Sequence, residues 1–156
     1  MDKAQIDRVT DRMRALCSRR EYCCADIMKK VVSALDGNME EAEKIVSLLV
    51  KDKYIDDLRY ASAFARDKSA LSGWGQTKIR YALSMKGVSK DIISEALEEI
   101  DGDRARQRLE KLLENKLRSL KDDPQWKMKL IRFALGRGYK YEEIYDEIQK
   151  IDSRRD

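Results

Sequence analysis

The chain has 156 residues, 42% of them hydrophobic and 40% charged, with a formal net charge of +4. That length suits one ordinary domain or a few very small ones, and apolar residues recurring throughout mark a folded, strongly solvated chain rather than a disordered one. There is no His, and three Cys (Cys17, Cys23 and Cys24); this excludes His-based nucleophilic catalysis, leaves zinc short of a fourth ligand, and fits reduced thiols in a cytoplasmic protein.

The start, MDKAQIDR, is charged and lacks the apolar core of a secretory signal. The longest apolar run, Ile45–Val50, is far shorter than the roughly 18–20 residues that span a bilayer. No membrane partner is expected. Neither GxxxxGK[ST] nor GxGxxG occurs, so no nucleotide cradle and no cofactor is predicted. A single Pro and many Leu, Ala, Lys, Glu and Arg predict an all-α chain.

Apolar periodicity predicts three tandem units of three helices, over residues 4–53, 54–101 and 102–156. In the first, Ile6, Val9, Met13 and Leu16 form one stripe, and Ile27, Met28, Val31, Val32 and Leu35 a second. After the break at Gly37-Asn38, Ala42, Ile45, Val46, Leu49 and Val50 form a third. The second unit carries Tyr60, Ala61, Phe64 and Ala65, an interruption at SGWG (72–75), then Ile79, Ala82 and Leu83. Gly87 is predicted as a C′ glycine and Ser89 as an N-cap before Ile92, Ile93, Ala96, Leu97 and Ile100. The third unit has Ala105, Leu109, Leu112, Leu113, Leu117 and Leu120. Asp122-Asp123-Pro124 then predicts a helix start with Asp as cap and Pro in the first turn. Trp126, Leu130, Phe133 and Ala134 follow, then Gly136 and Gly138, then Ile144, Tyr145, Ile148 and Ile151. The second and third units align at an offset of 51, which pairs Gly87 with Gly138. Stacked units of this kind predict an elongated, curved array.

Charge follows the repeat. Residues 66–90 carry a net +5 and residues 91–103 a net −6; residues 116–140 carry +6 and residues 141–152 carry −4. Each of these two units thus pairs a basic second helix with an acidic third. Three short helices resemble a helix-turn-helix, but a helix that reads the major groove should be basic, and here it is acidic. The basic helices suit phosphates or an acidic protein surface.

In YIDDLRYA (54–61), Asp56 is predicted as an N-cap and Asp57 as a first-turn acid. Ile55 and Tyr60 are placed as a hydrophobic staple. Local capping accounts for both carboxylates without a metal.

The same stretch resembles the signature of the RecX family, Y-[LI]-D-D-x-[RK]-[FY]-A, through Tyr54, Ile55, Asp56, Asp57, Arg59, Tyr60 and Ala61. Gly75, Lys78, Ile79, Arg80, Leu83, Lys86, Gly87, Val88 and Ser89 resemble the family's next block. Arg132, Phe133, Arg137, Gly138 and Tyr139 resemble its closing motif. The resemblance spans essentially the whole chain and is strongest from Tyr54 to Leu97. It implies tandem three-helix repeats and a bacterial regulator that catalyses no reaction. Such a regulator binds the RecA–single-stranded-DNA filament and inhibits RecA ATPase, filament extension and strand exchange. A helix-turn-helix-type protein acting directly on DNA is the alternative. Contacts are expected from Arg66, Lys78, Arg80 and Lys86 in the second unit, and from Lys127, Lys129, Arg132 and Arg137 in the third. Trp74 is read either as an exposed anchor or as packing between units. A monomer is expected, since tandem units already supply several contacts on one chain.

Overall fold

The computed structural model describes residues 2–155, and among them the fold is all-α. Nine helices follow one another among these residues: α1 Lys3–Arg19, α2 Cys24–Ala34, α3 Met39–Lys51, α4 Asp57–Ala70, α5 Gln76–Met85, α6 Lys90–Glu98, α7 Gly102–Arg118, α8 Trp126–Gly136 and α9 Tyr141–Arg155. The described residues group into two compact units. One comprises the chain up to Ala63 with Leu83–Glu95, and the other comprises Phe64–Ala82 with the chain from Ala96 onward. The division falls inside α4, α5 and α6.

The first unit is built on α1, α2 and α3, which pack pairwise. Its core joins Val9 and Met13 of α1 to Ile27, Val31 and Leu35, and to Ala42, Ile45, Val46 and Leu49 of α3. These are the stripes that the periodicity predicts. The exception is Val50, which is 46% exposed. Removing this apolar surface from water supplies about 25 cal/mol per Å2, the main favourable contribution to folding.

The second unit is built on α7, α8 and α9, also packed pairwise. Leu109, Leu113, Leu130, Ala134, Tyr139, Ile144, Ile148 and Ile151 form its core. Glu147 is buried in the same stripe of α9.

The ends of α2, α3, α5 and α8 follow one device. Val88 donates its N–H to Leu83 O and Gly87 to Ser84 O, with Gly87 at φ +79. Tyr139 and Gly138 repeat both bonds to Ala134 O and Leu135 O, 51 residues on. This is the Schellman arrangement. Helices α2 and α3 end the same way, but with Asp36 (φ 52) and Lys53 (φ 65) in the left-handed position. Gly37 is therefore not the C′ residue of α2.

The start of α8 differs from expectation. The helix begins at Trp126 with Gln125 as N-cap, two residues after Pro124. Asp123 instead accepts from the Gln125 N–H at 2.8 Å and closes the turn before the helix.

Candidate binding surface and the residues that build it

The signature octad is folding machinery of the first unit. Asp56 Oδ1 accepts from the Arg59 N–H at 3.0 Å, so Asp56 caps α4 as predicted. Ile55 and Tyr60 are both buried, consistent with the staple. Asp57 does something the sequence does not reveal: its Oδ1 accepts from the Cys24 N–H at 2.7 Å. Cys24 is the first residue of α2, whose own N-cap, Cys23, makes no side-chain cap bond. Asp57 therefore supplies the missing acceptor from a different helix, at the positive end of α2. Arg59 binds Glu21 through Nε and reaches the carbonyls of Lys53 and Tyr54 at 3.1 and 3.4 Å, closing the end of α3. The bond to Glu21 holds the guanidinium pKa above its ordinary value.

A second clamp lies within the other unit, where residues 72–75 meet residues 136–139. Gly75 donates to Arg137 O at 2.8 Å and Thr77 to Gly138 O at 3.0 Å. Tyr139 Oη donates to Gly73 O at 3.1 Å, and Arg137 Nη1 to Ser72 O at 3.4 Å. Lys78 Nζ reaches Gly136 O at 3.5 Å. Trp74 is half-buried in this clamp. Its ring meets Phe64 edge-on at 6.3 Å and carries two ammonium groups, Lys68 at 4.8 Å and Lys78 at 4.6 Å from its centroid. Each such contact is worth about 0.5–1 kcal/mol at an exposed site.

The expected contact residues divide by what already holds them. Lys78 and Arg137 belong to the second clamp, and Arg137 also lies 5.1 Å over the Phe133 ring. Lys86 pairs with Asp26 at 3.4 Å within the first unit. Lys127 pairs with Asp152 at 2.6 Å, and Lys129 with Asp123; the latter pairing, then the Gln125 N–H, holds the Asp123 carboxyl below its ordinary value. Arg80 is half-buried on α5, while Arg66 and Arg132 are exposed on α4 and α8. Further cations lie over rings without having been expected as contacts, among them Lys68, and Lys116, 5.1 Å over Phe133. The spacing of Phe64 and Lys68, one turn apart on a helix, was the available signal.

Cationic side chains laid over aromatic rings suit binding to phosphate, bases or an acidic protein face. Among the described residues, no helix is long and apolar enough to cross a membrane.

Residues 56–97 match the family model for the RecX second three-helix domain, and residues 103–148 match the RecX third three-helix domain. Together these matches cover more than half of the chain. A regulatory protein RecX of Clostridium botulinum (strain Eklund 17B) is 40% identical over 111 residues, covering 69% of this chain and 51% of that protein. One from Shigella dysenteriae is 27% identical over 151 residues and is covered to 89%, as is this chain. The chain thus spans about half the length of the clostridial relatives. The crystal structure of RecX from Lactobacillus salivarius superposes with a TM-score of 0.87 over 96% of this chain and 97% of that one, at 22% identity, which establishes likeness of fold. The chain belongs to the RecX family.

Proposed function

We propose that this chain is a regulatory protein that binds the RecA–single-stranded-DNA filament and inhibits RecA ATPase, filament extension and strand exchange. The observation that carries the reading is the pair of RecX domain matches in tandem, backed by relatives named regulatory protein RecX. The chain works by binding and turns over no substrate. Residues 4–53, 54–101 and 102–156 act as three successive repeats, each offering a few contacts. Several weak contacts on one chain reinforce one another through effective concentration.

Arg66 and Arg132 lead the contact set because they are exposed and, among the described residues, held by no internal carboxylate. Lys86, Lys127 and Lys129 contribute by exchanging an internal carboxylate for one on the partner. Surface pairs of this kind are worth only about 0–1 kcal/mol, so the exchange is easy.

Direct binding to single-stranded DNA is a second reading, favoured by Trp74 with Lys68 and Lys78 at its ring. Fluorescence anisotropy with labelled oligonucleotide separates the two. Tighter binding to RecA-coated than to bare DNA supports filament recognition. Equal binding, falling steeply with salt, supports the DNA reading instead.

A further inference from the structure

Within the unit built on α7–α9, Trp74, Ile79, Ala105 and Leu109 wall a cavity of about 620 Å3. Its other side is charged: Glu143, Asp146, Glu147 and Lys150 line it from one face of α9, and Arg106 lines it from α7. Glu147 occupies the apolar stripe of that helix, between Ile144 and Ile148, and is 2% exposed. Its Oε1 accepts from Lys150 Nζ at 3.2 Å, while its Oε2 is buried without a hydrogen-bond partner. An unpaired buried carboxylate oxygen is costly to the fold. Nearby guanidinium groups are turned to other acceptors: Arg106 to Asp103 at 3.2 Å, and Arg108 to Ser69 Oγ at 2.6 Å.

We propose that this cavity receives a lysine or arginine side chain presented by a protein partner, its aliphatic stem on the apolar wall and its charged head on Glu147. The chemistry is two-sided, as the cavity is. A long basic side chain brings methylenes and a cation together. The Glu147 side chain turns to meet that head, giving its partnerless oxygen, which has no open surface of its own, a charge-assisted hydrogen bond, and the Tyr139 ring in the cavity lining favours a cation. The three carboxylates outnumber Lys150 and Arg106 in the lining, which disfavours nucleic acid, and no group of three such side chains among the described residues is placed to hold a metal ion. The choice of a protein source rests on the function proposed above.

The test is an NMR titration of the full chain with the peptide acetyl-Leu-Arg-Leu-amide, without RecA or DNA. Saturable shifts at the Trp74 indole N–H and at the amides of Leu109 and Glu147 are expected. Affinity should fall about 10-fold or more for a norleucine peptide, and by a similar factor for E147Q, whose spectrum reports its folding. No shift with millimolar peptide overturns the proposal, as does equal binding by folded E147Q or by the norleucine peptide. Putrescine binding as tightly as the peptide also overturns it, assigning the cavity to free amines. None of these readouts involves RecA, so their failure is distinct from failure of filament regulation.

Discussion

Gly75 and Gly138 cross so closely that neither position has room for a side chain. A Cβ on Gly75 would lie 2.5 Å from the carbonyl carbon of Gly138, and one on Gly138 would lie 2.3 Å from Lys78 Cβ. Gly138 also holds φ +94, which disfavours any L side chain. Both neighbours are backbone or the root of a side chain, so neither can swing away. The crossing ties the SGWG turn to the end of α8 and thereby fixes Trp74.

G138A is therefore expected to destabilise the chain by about 3 kcal/mol or more, and G75A by a comparable amount. Urea unfolding followed by circular dichroism measures both. G136A is the opposite case, since a Cβ there meets nothing within 4 Å and the residue is helical. It should stabilise by about 0.5 kcal/mol. Equal effects at the two positions would refute the close-crossing explanation.

Asp56 and Asp57 cap different helices, so their contributions should separate. D56A removes the cap of α4 and D57A removes the acceptor for Cys24 of α2. Each is expected to cost about 1 kcal/mol. Hydrogen exchange distinguishes them: D57A should speed exchange at the first turn of α2, and D56A at the first turn of α4. Identical exchange patterns would contradict this division.

Glu147 is carried at a cost to stability. E147M fills the same volume without a charge, and is expected to raise stability by about 1–2 kcal/mol in thermal or urea unfolding. A destabilised E147M would mean that the Lys150 pairing stabilises the fold more than burial penalises it.

The thiols should be sluggish. Burial pushes the Cys17, Cys23 and Cys24 thiols above their ordinary pKa, and Cys23 is 0% exposed with its Sγ donating to Lys86 O at 3.5 Å. A raised pKa means less thiolate at neutral pH, with reactivity growing only as pH rises. Alkylation of Cys23 by iodoacetamide at pH 7 should run about 10-fold or more slower in the native than in the urea-unfolded chain. Equal rates would contradict its burial.

Much of this was legible in the sequence because helices announce themselves by period and by glycine. The stripes of α2, α3 and α6, the cap at Asp56 and the paired turns at Gly87 and Gly138 all follow from local pattern. What stayed hidden depends on residues far apart in the chain. Asp57 reaches Cys24 across 33 positions, and Tyr139 reaches Gly73 across 66. The left-handed ends at Asp36 and Lys53 also left no mark, because non-glycine residues rarely take that conformation. Glu147 read as one more acid in an acidic segment, and only packing shows it in the core. Charge counting found the basic segments but not which cations are already held, as Lys127 and Lys129 are.

The distinction matters for testing contacts. Reversing Lys78 would damage the Trp74 clamp as well as any interface. The double variant R66E/R132E alters exposed positions instead, and its stability should stay within about 0.5 kcal/mol of the parent. It is expected to weaken binding to the RecA–DNA filament about 10-fold or more, measured by anisotropy. Unchanged binding would remove these two arginines from the interface.

The most direct test of filament regulation is the single-stranded-DNA-dependent ATPase rate of RecA from the same organism, titrated with this chain. Inhibition at ratios well below one chain per RecA subunit is the predicted result. An unchanged rate in the presence of excess folded chain would contradict it.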